Sequence, residues 1–530
     1  MVGQNGIMLA VNIISSHFGI LVSKVCECLL RKGSLTIQNI VRFTELTPQQ
    51  VKHSVLVLIQ HNCVQAFSFR SDEDDQGGVP KGTHYVVIFE NILHRLRFAK
   101  FSSIVSEQLD KESEELLEGL LQHGRLTLEQ IILRALSKRN EGDCAIQDVL
   151  REKISKLVSE HFVERCPPSE PSVRLQDGDN STRKRGTKSA SFVRTKTLEQ
   201  KVITAAVSLK RFDFTMNTGA DVISEANALR KPANVTVGEK RKVEALEMDD
   251  GTIDEKDILW RANFEEFICH LKQKACIASV RSRLDDEVGV TLNAVLDATR
   301  GPEKKVKVEN SVPLSLDAIF EEVIKSEEGR CMTKERVDLA LSQMGCHPTT
   351  IGTKASYSVD VKNIIEIARK EEVESLISKR YGKDACRMFK LLWKNGELME
   401  TDKALYFFPI SDTAFVNKNE ALKSLSNLGN DGYLQMEKPV SQGAQSQFLL
   451  WKVNKSSLGE HVFDEMCHAA LNLRLRLAYE LEQEHEILQL PKHKRIGAEG
   501  KRYERIRDVN ILLESSLMKL DEALMLFHDY

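Results

Sequence analysis

No two cysteines in this 530-residue chain stand at C-x-x-C spacing, which removes the commonest structural zinc arrangements. The eleven cysteines are odd in number, and the closest pair, Cys26 and Cys28, falls on an apolar helical stretch. They read as reduced thiols of a reducing compartment. Aromatic residues are scarce at 6%, which fits helix-rich domains with aliphatic cores better than a large β-structure. No uninterrupted apolar run approaches the roughly 18 residues that cross a bilayer, so no membrane role is expected. The apolar start is broken by Asn12, Ser15, Ser16 and His17 and lacks a basic opening, which argues against a secretory signal. The sequons at Asn180, Asn234 and Asn454 are then chance matches.

Signatures of catalysis are missing too. There is no G-x-x-x-x-G-K-[ST] loop, no G-x-G-x-x-G, no H-E-x-x-H and no G-x-S-x-G elbow. The stretch HEILQ at His485 lacks a second histidine. Carboxylates from Asp72 to Asp75 fall in a loop tip, where solvated charge is their expected state. His17, His61 and His161 stand at helix ends with no nucleophile beside them in sequence. No catalytic residue, metal ligand or cofactor site is assigned, and the chain is not expected to be an enzyme. Its formal net charge of −3 weighs against a free DNA-binding regulator, because phosphate neutralisation supplies most of such a protein's affinity. Contact with nucleic acid must be local or supported by partners.

What is present is a repeat. LLRKGSLTIQNI (Leu29 to Ile40) matches LLQHGRLTLEQI (Leu120 to Ile131) without a gap. Each copy ends one helix, stops at a glycine and starts the next helix at a threonine. Gly33 and Gly124 suit the left-handed C′ position, and Thr36 and Thr127 suit N-caps, with Gln130 completing a capping box. A third helix follows in both. Thr47-Pro48-Gln49-Gln50 is a capping box that leads into an apolar face of Val51, Val55, Leu58 and Ile59. In the second copy Asp143 caps a face of Ile146, Leu150, Ile154, Leu157 and Val158. Both third helices run into β-prone residues, the first pair of strands flanking the tip SDEDDQGG. Three helices and a two-stranded wing are the order of a winged helix, whose centre is a helix-turn-helix.

The fold class is therefore mainly α with small β wings: tandem winged-helix domains ending in an antiparallel helical hairpin. Residues 1–100 and 101–167 are expected to hold the first two winged helices, the second wing extending toward the next segment. Residues 168–252, opened by Pro168 and Pro171 and rich in charge, read as a largely disordered linker. Its RKR (Arg183 to Arg185) and KRK (Lys240 to Lys242) serve either as nuclear-import signals or as solvated loop charge. From Asp257, Trp260, Phe264, Phe267 and Leu271 recur at i, i+4, i+7 and i+11 and predict a long amphipathic helix opening a third winged helix over 253–362. A fourth spans 363–455. Over 456–530, Ile506, Leu513, Leu520 and Phe527 stand seven apart, with Val509, Leu517 and Leu524 between them, and predict a coiled-coil hairpin around Pro491.

Candidate contact residues lie on the outward faces of the third helices. They are Lys52 and His53 in the first domain and Arg151, Lys153 and Lys156 in the second. Such a face enters the major groove in a lone winged helix, but in an acidic chain protein or solvent is the favoured neighbour. Lys304, Lys305 and Lys307 form a basic loop in the third domain that either guides a nucleic-acid strand or adds solubility.

One set of residues resembles a known family, the third-largest subunits of RNA polymerase III. The pattern W-x-A-N, an aromatic, then I-x-S-V-x-x-R is carried by Trp260, Ala262, Asn263, Phe267, Ile277, Ser279, Val280 and Arg283. SSHFGILVSKVCECLLRKGSLTIQNI, VKHSVLVLIQHNCV, HFVERCP, RYGKDACRMFKLL and LGNDGYLQMEKP are similar too, so the likeness runs nearly end to end outside the linker. It implies extended winged helices related to the α subunit of transcription factor IIE. It also implies a nuclear, non-catalytic subunit that joins two smaller polymerase III-specific subunits. That trimer would sit on the clamp of the largest subunit, meet initiation factors and assist promoter opening at small non-coding RNA genes. Binding to single-stranded promoter DNA without sequence preference is implied as well, with no residue assigned to it. On residues alone, a winged-helix scaffold of another complex or a free DNA-binding regulator are the alternatives.

Overall fold

The computed structural model describes residues 3–70, 82–139, 144–174, 197–207, 210–214, 258–299, 310–351, 354–397, 405–437, 450–491 and 495–530. Asp72 to Asp75, Asp143, both basic triplets and Lys304, Lys305 and Lys307 lie outside the described residues. The chain divides into two units. One is Ile20–Phe264, and the other joins Met1–Gly19 to Glu265–Tyr530.

Helix α1 (Gln4–Phe18) ends at Gly19, whose φ of 85° suits glycine. The unit that follows opens with α2 (Ile20–Lys32), α3 (Ile37–Thr44) and α4 (Pro48–Gln60), then β1 (Val64–Arg70) and β2 (His84–Val87). These form the first winged helix. Gly33 takes φ +84° at the end of α2, and the Thr47–Gln50 capping box starts α4, both as the sequence predicts. Val51, Val55 and Leu58 are buried. Strand β1 pairs antiparallel with β2, Val64 opposite Val87.

The connector contains α5 (Phe89–His94) and α6 (Phe98–Gln108). The second domain then runs through α7 (Lys111–His123), β3 (Leu126–Thr127), α8 (Leu128–Arg139), α9 (Cys144–Ser159) and β4 (Val163–Arg165). Gln130 donates its backbone N–H to Thr127 Oγ1 at 3.3 Å, and its side chain accepts from the Thr127 N–H at 3.2 Å. Leu150, Ile154, Leu157 and Val158 are buried along α9. Gly124, at φ +80°, does more than end a helix. A Cβ there would stand 2.0 Å from the Gln60 carbonyl oxygen at the end of α4. The repeats meet at that point: the Arg125 N–H donates to Gln60 at 3.0 Å, and Arg125 Nε donates to the buried Asn62 Oδ1 at 2.9 Å.

Two segments depart from expectation. The stretch read as linker is partly built into the first domain. Its β5 (Ser172–Arg174) pairs parallel with β1, Ser68 opposite Ser172, and its α10 (Leu198–Ala206) has a capping box at Thr197 and Gln200. Val173 and Val202 share a core with Phe67 and Val86, and Glu199 accepts from the Phe89 N–H at 3.1 Å. The composition of residues 168–252 hid this because the apolar anchors are few and far apart. The second departure is Trp260. It lies not in a helix but in β6 (Leu259–Ala262), which pairs antiparallel with both β3 and β4 and completes the second wing. A helical spacing from Trp260 to Phe264 coincides with a strand that turns into a helix at Asn263.

In the other unit, α11 (Phe264–Arg283) leads to the third winged helix. This comprises α12 (Asp286–Ala298), β7 (Leu314–Ser315), α13 (Leu316–Lys325), α14 (Lys334–Gln343), β8 (Thr349–Ile351) and β9 (Lys354–Tyr357). Its core gathers Val288, Leu292, Ile319, Val323, Val337 and Leu341, and Leu526 and Tyr530 from the chain's end pack against it. Helix α15 (Val361–Tyr381) precedes the fourth: α16 (Lys383–Glu397), β10 (Leu405–Tyr406), α17 (Phe407–Ala414), α18 (Lys418–Asn430), β11 (Gln435–Glu437) and β12 (Leu450–Lys452). Helices α19 (Lys455–Gln483), α20 (His485–Gln489) and α21 (Ala498–His528) complete the chain, with α19 packed on α21. Ile506 and Leu524 are buried in the stripe that the seven-residue spacing marks.

Helix α1 packs on α19, although its position in sequence places it with the first winged helix. Asp464 of α19 accepts from the Asn5 and Gly6 backbone N–H groups at 3.0 and 3.2 Å, and from Asn5 Nδ2 at 2.8 Å. It thus caps α1 from another element, since Gly3 offers no side chain. A Cβ at Gly3 would stand 2.1 Å from Asp464 Oδ1, so a larger residue there would push the capping carboxylate aside. Arg474 Nε donates to Asn12 Oδ1 at 2.9 Å farther along. Asp464→Ala removes the cap and is expected to cost about 1–2 kcal/mol. Hydrogen exchange of Gln4–Phe18 should accelerate while α4 stays protected. Unchanged protection of α1 would show that apolar packing alone holds it.

Candidate nucleic-acid interface

The third helices α4, α9, α14 and α18 share one architecture and differ in their charges. On α4, Lys52 and His53 are both exposed and point away from the buried face. From Ile20 to Gln60 the chain carries Lys24, Arg31, Lys32, Arg42 and Lys52 against Glu27 and Glu45. All five cations are exposed. Arg31 Nε pairs with Glu27 at 2.8 Å, whereas Lys24, Arg42 and Lys52 make no ion pair among the described residues. A basic patch with free cations displaces counterions from a phosphate chain, and a local excess of this kind is what an acidic chain can offer.

Helix α9 differs. Lys153, read from the sequence as a surface contact, donates to Asp110 Oδ2 at 2.7 Å, and Asp110 caps α7 by accepting from the Ser113 N–H at 2.8 Å. Lys153 therefore joins two helices. Arg151 pairs with Asp148 at 3.3 Å, and Lys156 stays exposed. Helix α14 is less suited still. Lys334 pairs with Asp317 and Arg336 with Glu287 at 2.8 Å, and Leu339 on the same helix is 60% exposed. From Leu316 to Gln343, Asp317, Glu321, Glu322, Glu327, Glu328, Glu335 and Asp338 outnumber Lys325, Arg330, Lys334 and Arg336. Such a surface repels a phosphate backbone.

Of the residues singled out in sequence, the structure brings Lys52 and His53 together, ties Lys153 and Arg151 into ion pairs, and leaves the Lys304 loop outside the described residues. Lys24, Lys32 and Arg42 were missed. The signal that finds them is the local charge excess of the first helix-turn-helix, which the total of −3 conceals.

The wing of the second domain is held by a buried polar cluster. Glu164, 3% exposed, accepts from Arg261 Nε at 2.8 Å and from Arg211. Arg211 also donates to Asn263 Oδ1 at 2.9 Å, and Asn263 Nδ2 donates to the His161 carbonyl at 2.8 Å. Trp260 is buried under the Arg165 guanidinium, 5.6 Å from its ring centroid. The W-x-A-N pattern thus does architectural work. Among the described residues no group of three His, Cys, Asp or Glu is placed to hold a metal, and no helix is long and apolar enough to cross a membrane. Burial pushes the Cys63 thiol up to about 12 and those of Cys166, Cys276 and Cys346 to about 11. These thiols stay protonated and unreactive at neutral pH.

Partial burial works against ionisation of Asp110, but Lys153 and the Ser113 N–H outweigh it and hold its carboxyl down to about 2. The unfolded value is about 3.9. A depressed carboxyl contributes stability above the unfolded value and loses it as pH falls through the folded one, so this contribution disappears between about pH 4 and pH 2. Lys153→Met should raise the Asp110 carboxyl toward the ordinary aspartate range in a carbon-detected NMR titration. A value still near 2 would assign the shift to the helix cap alone.

A family model described as the RNA polymerase III subunit RPC82 helix-turn-helix domain matches residues 8–68, and one described as RNA polymerase III subunit RPC82 matches residues 152–368. Together they span just over half of the chain. DNA-directed RNA polymerase III subunit rpc3 of Dictyostelium discoideum is 22% identical over 670 residues, covering 98% of this chain and 99% of that protein. Subunit RPC3 of Homo sapiens is 21% identical over 569 residues, 99% and 98% of the two chains. Subunit RPC3 of Danio rerio is 22% identical over 506 residues, 92% and 86%. With its tandem winged helices and these matches from end to end, the chain belongs to the RPC82 family of RNA polymerase III subunits.

Proposed function

We propose that this chain serves in the nucleus as an accessory subunit of RNA polymerase III, joined to two smaller subunits on the clamp of the largest one. There it meets initiation factors and assists promoter opening at small non-coding RNA genes. Family membership makes it a non-catalytic subunit, and its relatives are named as polymerase III subunits along nearly their whole length. The observation that carries the nucleic-acid part is the contrast between winged helices. The first helix-turn-helix carries five exposed cations against two carboxylates, whereas Arg151 and Lys153 of α9 and Lys334 and Arg336 of α14 are paired with carboxylates and Lys156 stands alone among the described residues. Few free cations mean few displaced counterions, so affinity is low, the salt slope shallow and sequence preference absent. Within the polymerase, the high effective concentration of a held strand offsets that weakness. Lys304, Lys305 and Lys307 are proposed to guide an opened strand.

Two measurements test this. The purified full chain should bind single-stranded DNA more tightly than duplexes of any sequence at physiological salt, and Lys52→Glu should weaken that binding a few-fold. Nanomolar, sequence-selective duplex binding would overturn the accessory role in favour of a free regulator. In the assembled polymerase, reversing Lys304, Lys305 and Lys307 to glutamate should impair promoter opening and leave subunit stoichiometry unchanged. Normal opening by that variant would remove the loop from the proposal.

A further inference from the structure

Beside the third helix of the first domain, α3 carries an aromatic residue in an unusual setting. Phe43 is 50% exposed. Lys32, at the end of α2, holds its Nζ 5.4 Å from the centroid of that ring. Arg42 precedes it, and Asn39 stands one turn earlier on the same helix; both are exposed. A single exposed phenylalanine is common on protein surfaces and by itself means little. A protein interface, however, depletes charge around its buried aromatic anchors. Lys32 stands over the Phe43 ring, and the exposed Arg42 and Asn39 precede it on the helix, against one exposed carboxylate, Glu45, two residues on. Neither Lys32 nor Arg42 makes an ion pair among the described residues. Aromatic faces set among cations are what proteins use to hold single strands, because every base has a π-face and every linkage a charge.

We propose that Phe43 is a stacking platform for an unpaired base, with Lys32 and Arg42 on the phosphates to either side. The ligand is a single nucleic-acid strand. This rests on the reading of the first winged helix as the nucleic-acid contact and extends it to the corner of α2 and α3, away from the third helix. A paired duplex keeps its base faces stacked and cannot use Phe43, whereas Lys52 attracts either form. Preference for single strands thus resides in Phe43, and bulk affinity is shared with the other cations.

The test uses the full chain with Phe43→Trp and a twenty-nucleotide oligo(dT). The native tryptophans Trp260, Trp393 and Trp451 are buried at 3%, 8% and 3% exposure, so the new indole is the one that solvent and ligand reach. Its emission should be quenched saturably, over the same concentrations that raise the anisotropy of labelled oligo(dT). A blunt hairpin duplex should leave emission unchanged. Phe43→Ala should lower oligo(dT) affinity roughly tenfold or more, with Phe43→Trp retaining it and both variants melting like the parent. Oligo(dT) binding without quenching, and unaffected by Phe43→Ala, overturns the stacking platform while leaving the first domain's general nucleic-acid contact in place. No oligo(dT) binding by the parent chain overturns both. A third arm places p-benzoylphenylalanine at position 43 in the assembled polymerase. Photo-crosslinking to nucleic acid supports the platform, and crosslinking only to a protein segment replaces it with a partner-docking role.

Discussion

The burial of Glu164 is the constraint on which the Ile20–Phe264 unit turns. A carboxylate taken out of water costs several kcal/mol unless cations and hydrogen bonds replace the lost solvation. Here Arg211 and Arg261 both supply that replacement. The two guanidinium groups come from segments far from Glu164 in sequence, and each brings its backbone along. Arg261 sits in β6, so satisfying the carboxylate fixes the third strand of the second wing. Arg211 then fixes Asn263, which fixes the turn into α11 through the His161 carbonyl. Arg261 also reaches Asn62 at 3.5 Å, the same amide that Arg125 holds where the repeats meet. One buried charge therefore coordinates the end of the first domain, the wing of the second and the return of the chain from its long excursion.

Repetition of a fold has not brought repetition of a role. The helix-turn-helix recurs with the same glycine stops and threonine starts, because helix capping is local chemistry that any copy can reuse. Surface charge is free to drift among the copies. In the second and third domains Lys153 and Arg336 of the third helices have carboxylate partners, Asp110 and Glu287. A cation engaged in that way stabilises its own domain and has less to offer a phosphate.

Much of the architecture was legible because its determinants lie close together in sequence. The capping boxes at Thr47 and Thr127, the left-handed glycines and the buried stripes of α4 and α9 involve residues within a turn or two of each other. The same holds for α13, α14 and the striped C-terminal helices. What escaped depends on partners hundreds of residues away. Trp260 reads as the start of a helix until β3 and β4 are there to pair with it. Val173 and Val202 look like isolated apolar residues in a polar tract until Phe67 and Val86 complete their core. The candidate interface was half legible. Lys52 and His53 follow from helical phase, but the disqualification of Lys153 needed the position of Asp110, and net charge masked the basic first domain.

The capping of α1 by Asp464 has a consequence for how the protein comes into being. A ribosome adds on the order of 5–20 residues per second. Helix α1 and the helix it packs on, α19, lie more than 400 residues apart in sequence, so at that pace their synthesis is separated by roughly 20–90 s. Through that interval Leu9, Ala10, Ile13 and Ile14, all fully buried in the finished chain, have no native surface to cover them. Domain-by-domain folding during synthesis can complete the Ile20–Phe264 unit but cannot close the other. Whatever shields an apolar amphipathic helix on a nascent chain, a ribosome-bound chaperone included, thus has to act on α1 until α19 has been made.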